Sequence, residues 1–155
     1  VYGPWGRPDM APWLFTEAML AGKPIRVFNH GQSLRDFTFV DDVARAVVAL
    51  IDNPPAHDAA YDHAQPRPDR SDAPYRILNI GNERPVPLFE FIDTLERTLG
   101  VTAIKQFEPA QPGDMVATAA DVSALRELIG FAPHTPIEVG LRHWVDWYRS
   151  YHGLA

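Results

Sequence analysis

Apolar residues recur at helical spacing in several stretches of the chain, and short β-rich runs separate these stretches. Helices are predicted over 9–21, 41–51, 87–99 and 136–148, with a shorter one after Asp121. Strands are predicted over 24–28, 75–80 and 103–107. Alternating strands and helices indicate an α/β fold, but so few strands cannot form a complete doubly wound sheet. We therefore expect an α/β arrangement that is incomplete by itself.

Sequence signals at the helix ends make these predictions more specific. Asp9 is expected to cap the first helix, and Thr135-Pro136-Ile137-Glu138 matches a capping box with proline at the first helical position. Gly100 is expected to end the third helix. The second helix carries an apolar stripe that we expect to face the core, made of Val43, Ala44, Val47, Val48 and Ile51.

Residues 55–74 differ in composition from the rest of the chain. Proline, aspartate, histidine, alanine and arginine occur there without an apolar period. We expect a flexible insertion in this stretch, with little function. Apart from this insertion, residues 1–155 are expected to form a single portion of a larger protein.

Charge and composition exclude several classes of function. The formal net charge of −6 argues against broad binding to nucleic acid or anionic membranes, because both attract a surplus of positive charge. Cysteine is absent, so no disulfide forms, and the six histidines show no metal-ligand spacing. No apolar run is long enough to span a membrane, and a cytoplasmic location fits this composition. The first residue, Val1, lies inside what reads as a motif, which suggests a piece of a longer protein.

Two arginines stand where they could bind anions. Arg7 follows a loop with two glycines and precedes a helix, and a guanidinium can grip a carboxylate with two parallel hydrogen bonds. Arg35 precedes a β-rich stretch and could neutralise a diphosphate. The alternative for Arg7 is a solvated turn residue, and the alternative for Arg35 is a surface pair with Asp36 or Asp41.

A third candidate is the turn Gln111-Pro112-Gly113-Asp114. The Asp114 carboxylate could accept hydrogen bonds from sugar hydroxyls, although aspartate after Pro-Gly is also ordinary turn chemistry. The sequence shows neither a glycine-rich dinucleotide fingerprint nor a nucleotide-binding P-loop. The tryptophans and Tyr148 at helical spacing are interpreted as packing residues.

An ordered series of short motifs resembles the C-terminal half of UDP-glucuronate 4-epimerases, members of the extended short-chain dehydrogenase/reductase family. The motifs are VYGPWGRPDM at 1–10, VFNHG at 27–31, RDFTFVDD at 35–42, NIGN at 79–82, QPGD at 111–114 and WVDWY at 144–148. The resemblance covers nearly the whole chain apart from 55–74. It implies that this chain is the substrate-binding part of an extended Rossmann-type enzyme whose NAD-binding half is missing.

The resemblance also implies a reaction. Such enzymes oxidise the sugar at C4 with NAD, let the 4-keto sugar turn, and return the hydride to its other face. The groups for proton and hydride transfer, including a Tyr-x-x-x-Lys pair, are expected before Val1, so no catalytic, cofactor-binding or metal residue is expected in this chain. The parent is expected to be a homodimer that uses NAD and a UDP-sugar.

The resemblance assigns roles to six residues. Arg7 stands at the family position that binds the glucuronate carboxylate. Arg35 stands at the family position that faces the UDP phosphates. Phe28, with its neighbour Arg26, falls where the backbone contacts uracil. Gln111 and Asp114 fall near the UDP ribose and phosphate; many related epimerases carry arginine where Gln111 stands, which leaves more of the neutralisation to Arg35.

Other functions remain open at this point. Related enzymes include a UDP-glucuronate decarboxylase, a UDP-glucose 4-epimerase and a sugar dehydratase. A non-catalytic binding or interaction module is an alternative of a different class.

Overall fold

Five helices and four short strands follow one another in the computed structural model, which describes residues 1–154. In chain order they are α1 (Ala11–Leu20), β1 (Pro24–Val27), β2 (Leu34–Arg35), α2 (Val40–Ile51), β3 (Val86–Pro87), α3 (Leu88–Leu99), β4 (Ile104–Phe107), α4 (Ser123–Ile129) and α5 (Ile137–His152). A 3-10 turn, Phe28–Gly31, follows β1. The predicted mixture of helices with few strands is confirmed.

The strands form two small pairs. β1 lies parallel to β4, with Val27 opposite Phe107, and β2 lies antiparallel to β3. Tyr2 also bridges Phe39 in parallel. The predicted strand over 75–80 is wrong: apart from a single bridge at Arg76, this extended segment pairs with no other described strand.

The main core lies among α1, α3 and α5. It buries Phe91, Ile92 and Leu95 of α3 against Leu141, Trp144, Val145 and Tyr148 of α5. The Trp144 indole N–H donates to Thr16 Oγ1 at 2.9 Å, so the buried ring keeps a polar partner. These residues hold the helically spaced apolar positions on which the helices over 87–99 and 136–148 were predicted. Gly100 ends α3 in a left-handed conformation, as predicted.

The second helix turns a different face inward from the predicted one. α2 buries Asp42 and Ala46, and Ala46 packs with Val122 and Leu125 in a smaller cluster. The predicted apolar stripe points outward instead, with Val48 62% and Ile51 72% exposed. The inward face is the one that carries Asp42, whose carboxylate accepts the N–H groups of His134 and Thr135.

Two predicted caps are wrong because the residues concerned make other contacts. Pro136, rather than Thr135, is the residue before α5, and the backbone N–H of Thr135 donates to the buried Asp42 carboxylate at 2.9 Å. Asp9 does not cap α1, since it forms a bidentate pair with Arg7. Asp121 does accept the N–H of Ser123, the first residue of α4, at 2.9 Å.

Residues 55–74 form turns without a helix or a strand. The Asp58 N–H donates to the Asp72 carbonyl at 2.9 Å, which closes the ends of this segment on each other. Arg70, inside this segment, forms an isolated antiparallel β-bridge with Arg76, which lies just after it. Within residues 1–154, the helices lack the length and apolar character needed to cross a bilayer.

Candidate functional site

The Arg35 guanidinium is held from several sides. It donates to Asp114 Oδ1 at 2.6 Å and to the Leu34 carbonyl at 2.9 Å. The side chains of Arg35 and Asp114 are 27% and 33% exposed, so the pair is partly withdrawn from water. The pairing with Asp36 or Asp41 that the sequence left open is not the one adopted. Two candidate residues from distant parts of the sequence therefore lie in direct contact.

The strand that carries Arg35 is fixed along both of its edges. On one edge β2 pairs with β3, and on the other Leu34 bridges Ala117 in parallel. The Leu34 N–H donates to the Val116 carbonyl at 2.9 Å, which anchors the segment after Asp114. Ladder bonds on both edges hold the Arg35 backbone, so its guanidinium extends from a rigid base.

A second ion pair lies where the parallel strands end. Arg26 on β1 donates through Nε and Nη2 to both carboxylate oxygens of Glu108, at 2.8 and 2.9 Å. Its guanidinium also stacks 4.8 Å from the centre of the Phe28 ring. The hydrogen bonds and charge of Arg26 lower the pKa of Glu108. The structure thus brings the candidate residues Arg26 and Phe28 together.

The turn after β1 has an unusual backbone. Asn29 and His30 both have a φ of 48°, and Gly31 has a φ of 78°. Left-handed conformations are costly for residues other than glycine and cluster at ligand clamps. The His30 N–H donates to the Glu108 carbonyl at 3.1 Å, so the parallel strands support this turn. The backbone next to Phe28 is therefore shaped by tertiary contacts.

The segment 108–114 links the two ion pairs. Glu108 at its start pairs with Arg26, and Asp114 at its end pairs with Arg35. Between them Gln111 accepts the Asp114 N–H on its backbone carbonyl at 3.1 Å, which forms the predicted turn. The Gln111 side chain is exposed. Five of the six candidate residues are therefore connected through one short stretch of chain.

Arg7, the sixth candidate, lies in a separate loop. Its hydrogen bonds among the described residues go to Asp9, and the two side chains are 74% and 62% exposed. Asp9 raises the pKa of Arg7 by hydrogen bonding and by its charge. The start of this loop is tied to the stretch after Arg35, because the Tyr2 N–H donates to the Thr38 carbonyl at 3.0 Å. The structure connects the two loops through their backbones and does not join Arg7 to the Arg35 pair.

Two site residues, Glu108 and Asp36, were missed in the analysis of the sequence. Glu108 pairs with Arg26, and its signal was its place directly after a predicted strand. Asp36 accepts the backbone N–H groups of Asn82 and Glu83 at 3.2 Å each, and Glu83 in turn pairs with Arg126. Asp36 thus fastens the NIGN turn beside the Arg35 strand. Its signal was its position next to Arg35 in a motif.

Comparisons with known proteins agree with this arrangement. The model of the NAD dependent epimerase/dehydratase family matches residues 1–81, which is more than half of the chain. The chain belongs to this family. Family membership makes it part of an NAD-dependent class of enzymes and confirms the predicted fold class.

Individual proteins are similar to this chain over nearly its whole length. The chain is 49% identical over 98% of its length to an uncharacterized 37.6 kDa protein of Escherichia coli. It is 40% identical over 96% of its length to a probable UDP-glucuronate 4-epimerase of Rhizobium meliloti. The solved UDP-glucuronic acid 4-epimerase of Bacillus cereus, in complex with UDP-glucuronic acid and NAD, matches 97% of the chain at 29% identity and a TM-score of 0.78.

The chain spans less than half of each of these proteins. It covers 46% of the Escherichia protein, 44% of the Rhizobium protein and 43% of the Bacillus structure. Within 1–154, β1 runs into a 3-10 turn with no glycine-rich loop opening a helix, which is the arrangement that holds a dinucleotide phosphate.

Proposed function

We propose that this chain is the nucleotide-sugar-binding portion of an NAD-dependent epimerase that interconverts UDP-glucuronate and UDP-galacturonate. The observation that carries the proposal is the Arg35–Asp114 pair at 2.6 Å, supported by the 108–114 segment that also holds Arg26. The names of several relatives, including the Rhizobium protein, support the choice of substrate.

Arg35 supplies the positive charge that a diphosphate needs. The Arg35 side chain is only 27% exposed, and a charge in such a place interacts more strongly than one in open water. The Asp114 carboxylate satisfies it while the site is free. When UDP binds, the diphosphate takes the place of Asp114 as the partner of Arg35, and Asp114 becomes available to accept a hydrogen bond from ribose.

Arg26 and Phe28 support the base of the nucleotide. The bidentate pair with Glu108 and the contact with the Phe28 ring fix the end of β1. The strained turn that follows Phe28 is held in place by the hydrogen bond from the His30 N–H to the Glu108 carbonyl. Backbone groups held in this way can recognise the edge of a uracil ring.

Arg7 is assigned to the sugar carboxylate. A 4-keto-glucuronate is a β-keto acid, and such acids lose CO2 readily when the carboxylate aligns with the ketone. A bidentate grip by Arg7 holds the carboxylate out of that alignment. The guanidinium already makes such a grip on Asp9 at an exposed position, where the exchange of one carboxylate for another costs little.

Several features of the whole protein belong to the same proposal. The NAD-binding half and the groups that move the proton and the hydride are contributed by a segment outside this chain. The parent is proposed to be a cytoplasmic homodimer. Residues 55–74 remain a proposed flexible insertion. The coverage of less than half of each relative supports the division into two portions.

Calorimetric titration of the chain with UDP, UDP-glucuronate and NAD tests the proposal. We expect UDP to bind, UDP-glucuronate to bind more tightly, and NAD to give no heat. The absence of binding to all three would contradict the proposal and favour an inert fragment or an interaction module. Product analysis by NMR on the parent enzyme separates an epimerase from a decarboxylase or a dehydratase.

A further inference from the structure

A small cleft lies in the irregular part of the chain that the proposed function does not use. Its volume is about 130 Å³, and its polar lining consists of Asp58, Arg70, Ser71, Tyr75 and Arg76. Two arginines, a serine and a tyrosine therefore line one cleft. None of these residues belongs to the Arg35 site.

The two arginines of the cleft stand directly opposite each other. Arg70 and Arg76 form an antiparallel bridge, so their Cα atoms face one another across two chain segments. Like charges placed directly opposite in this way destabilise the pairing. An anion between the guanidinium groups would reverse the sign of this interaction.

The Arg70 side chain is also incompletely paired. Its Nε is buried and makes no hydrogen bond, and the nearest carboxylate oxygen, Asp69 Oδ2, is 3.8 Å away. A buried donor on a charged group without an acceptor is costly. Among residues 1–154, no carboxylate oxygen lies within ion-pair distance of Arg76. The Arg70 Nε is enclosed by protein, so the donors left for a ligand are the other N–H groups of the two guanidinium groups.

Nearby carboxylates are already engaged. Asp69 binds Arg67 through both of its oxygens, at 3.0 and 2.9 Å. Asp72 lies 3.7 Å from His63, and Asp58 accepts the Ala60 N–H at 3.1 Å. Asp58 alone of these lines the cleft, and its charge opposes an anion there.

We infer that this cleft binds the oxyanion of a phosphate group between Arg70 and Arg76. The two guanidinium groups donate to its oxygens, with the Tyr75 hydroxyl as a further donor, whereas the Ser71 hydroxyl already donates to the Ala73 carbonyl at 3.4 Å. Charge-assisted hydrogen bonds of this kind are the strong ones, and arginine is well suited to phosphate geometry. The site is separate from the Arg35 site and does not depend on the proposed function.

Titration of the chain with inorganic phosphate tests this inference. Binding is measured by calorimetry and by the NMR shifts of the Ser71 and Arg76 amides. The chain carries Arg35→Gln throughout, so that the proposed nucleotide site does not contribute. We expect saturable binding that weakens by about tenfold or more in the Arg70→Gln/Arg76→Gln variant. Asp58→Asn is expected to tighten binding, because it removes the opposing charge.

Arg67→Gln is the matched control, since Arg67 lies in the same segment but is held by Asp69 outside the cleft. It should bind phosphate as the parent chain does. If the double glutamine variant is unfolded by circular dichroism, Arg70→Lys/Arg76→Lys replaces it and should retain part of the affinity. The inference is overturned if phosphate does not saturate the site, or if both arginine variants and the control bind equally.

A second titration, with uridine monophosphate, identifies the source of the phosphate. Binding of the nucleotide at least as tight as that of inorganic phosphate, and equally dependent on Arg70 and Arg76, supports a phosphate carried by a nucleotide. Binding of inorganic phosphate alone supports a free ion. The inference is overturned if inorganic phosphate does not bind and the affinity for the nucleotide is the same with and without the two arginines.

Discussion

Arg35 Nη2 donates to Asp114 Oδ1 at 2.6 Å, although 79 residues separate the two side chains in the sequence. Each of them had been a candidate for nucleotide contact on separate grounds, and their pairing gives both a common role. The carboxylate neutralises the guanidinium, and we propose that a diphosphate competes with it for Arg35.

Replacement of Arg35 by alanine should weaken UDP binding by about 2 to 4 kcal/mol, because a partly desolvated charge pair is lost. Asp114→Asn removes the competing carboxylate and should keep or improve UDP affinity. Calorimetry on both variants measures the effects. Arg67→Ala serves as the control, since its ion pair with Asp69 lies in the 55–74 segment. A UDP dissociation constant that is unchanged in Arg35→Ala would contradict the assignment.

Replacement of Arg7 by alanine should affect substrates that carry a carboxylate. We expect the affinity for UDP-glucuronate to fall about tenfold or more, whereas UDP-glucose binding stays nearly the same. The physical reason is the loss of two parallel hydrogen bonds to the carboxylate. Asp9→Asn is the companion variant, because it frees Arg7 and should not weaken UDP-glucuronate. If Arg7→Ala lowers the affinity for UDP-glucuronate and for UDP-glucose equally, Arg7 does not bind the sugar carboxylate.

Asp42 should control stability at low pH. Burial opposes its ionisation, but hydrogen bonds from Thr135 and His134 outweigh this effect and lower its pKa. A lowered pKa stabilises the folded state above the unfolded value of about 4, and this contribution is lost as pH falls through the folded pKa. Asp42→Ala should cost about 1 to 3 kcal/mol at pH 7, because two N–H groups lose their acceptor.

Denaturant unfolding at pH 7 and at pH 3 measures the role of Asp42. The difference between the wild-type chain and Asp42→Ala should shrink at the lower pH. Asp41→Asn is the control, since Asp41 is exposed in the same helical turn. A difference that is the same at both pH values would show that the charge of Asp42 does not matter.

Gly140 in α5 leaves room for the buried Tyr2 ring. A methyl group at this position would overlap the Tyr2 hydroxyl and approach its Cζ atom at 2.6 Å. Gly140→Ala should therefore destabilise the chain by about 1 to 3 kcal/mol, as overpacking does. The Tyr2 hydroxyl has no hydrogen-bond partner among the described residues, so Tyr2→Phe should cost little and partly rescue Gly140→Ala.

Thermal unfolding of the two single variants and the double variant measures this coupling. Val139→Ala, at an exposed neighbouring position of the same helix, should change the midpoint little. If the double variant is as unstable as the sum of its two single variants, Tyr2 is not what Gly140 accommodates.

Much of the fold could be predicted because helix periodicity is a local property. The stripes of α3 and α5 predicted the main core, and Gly100 predicted the end of α3. At the site, the family resemblance singled out Arg26, Phe28, Arg35 and Asp114, and the structure brings these into two contacting pairs. Their ligands remain proposals.

The sequence by itself determined where the helices lie, which apolar stripes of α3 and α5 are buried, and which arginines bear the candidate chemistry. Only the tertiary structure decided that Arg35 pairs with Asp114 and Arg26 with Glu108, that Asp42 rather than Thr135 serves the start of α5, and that the apolar stripe of α2 faces outward. The physical reason is that a helix depends on spacing along a few turns, whereas an ion pair or a buried face depends on which distant segments the folded chain brings into contact.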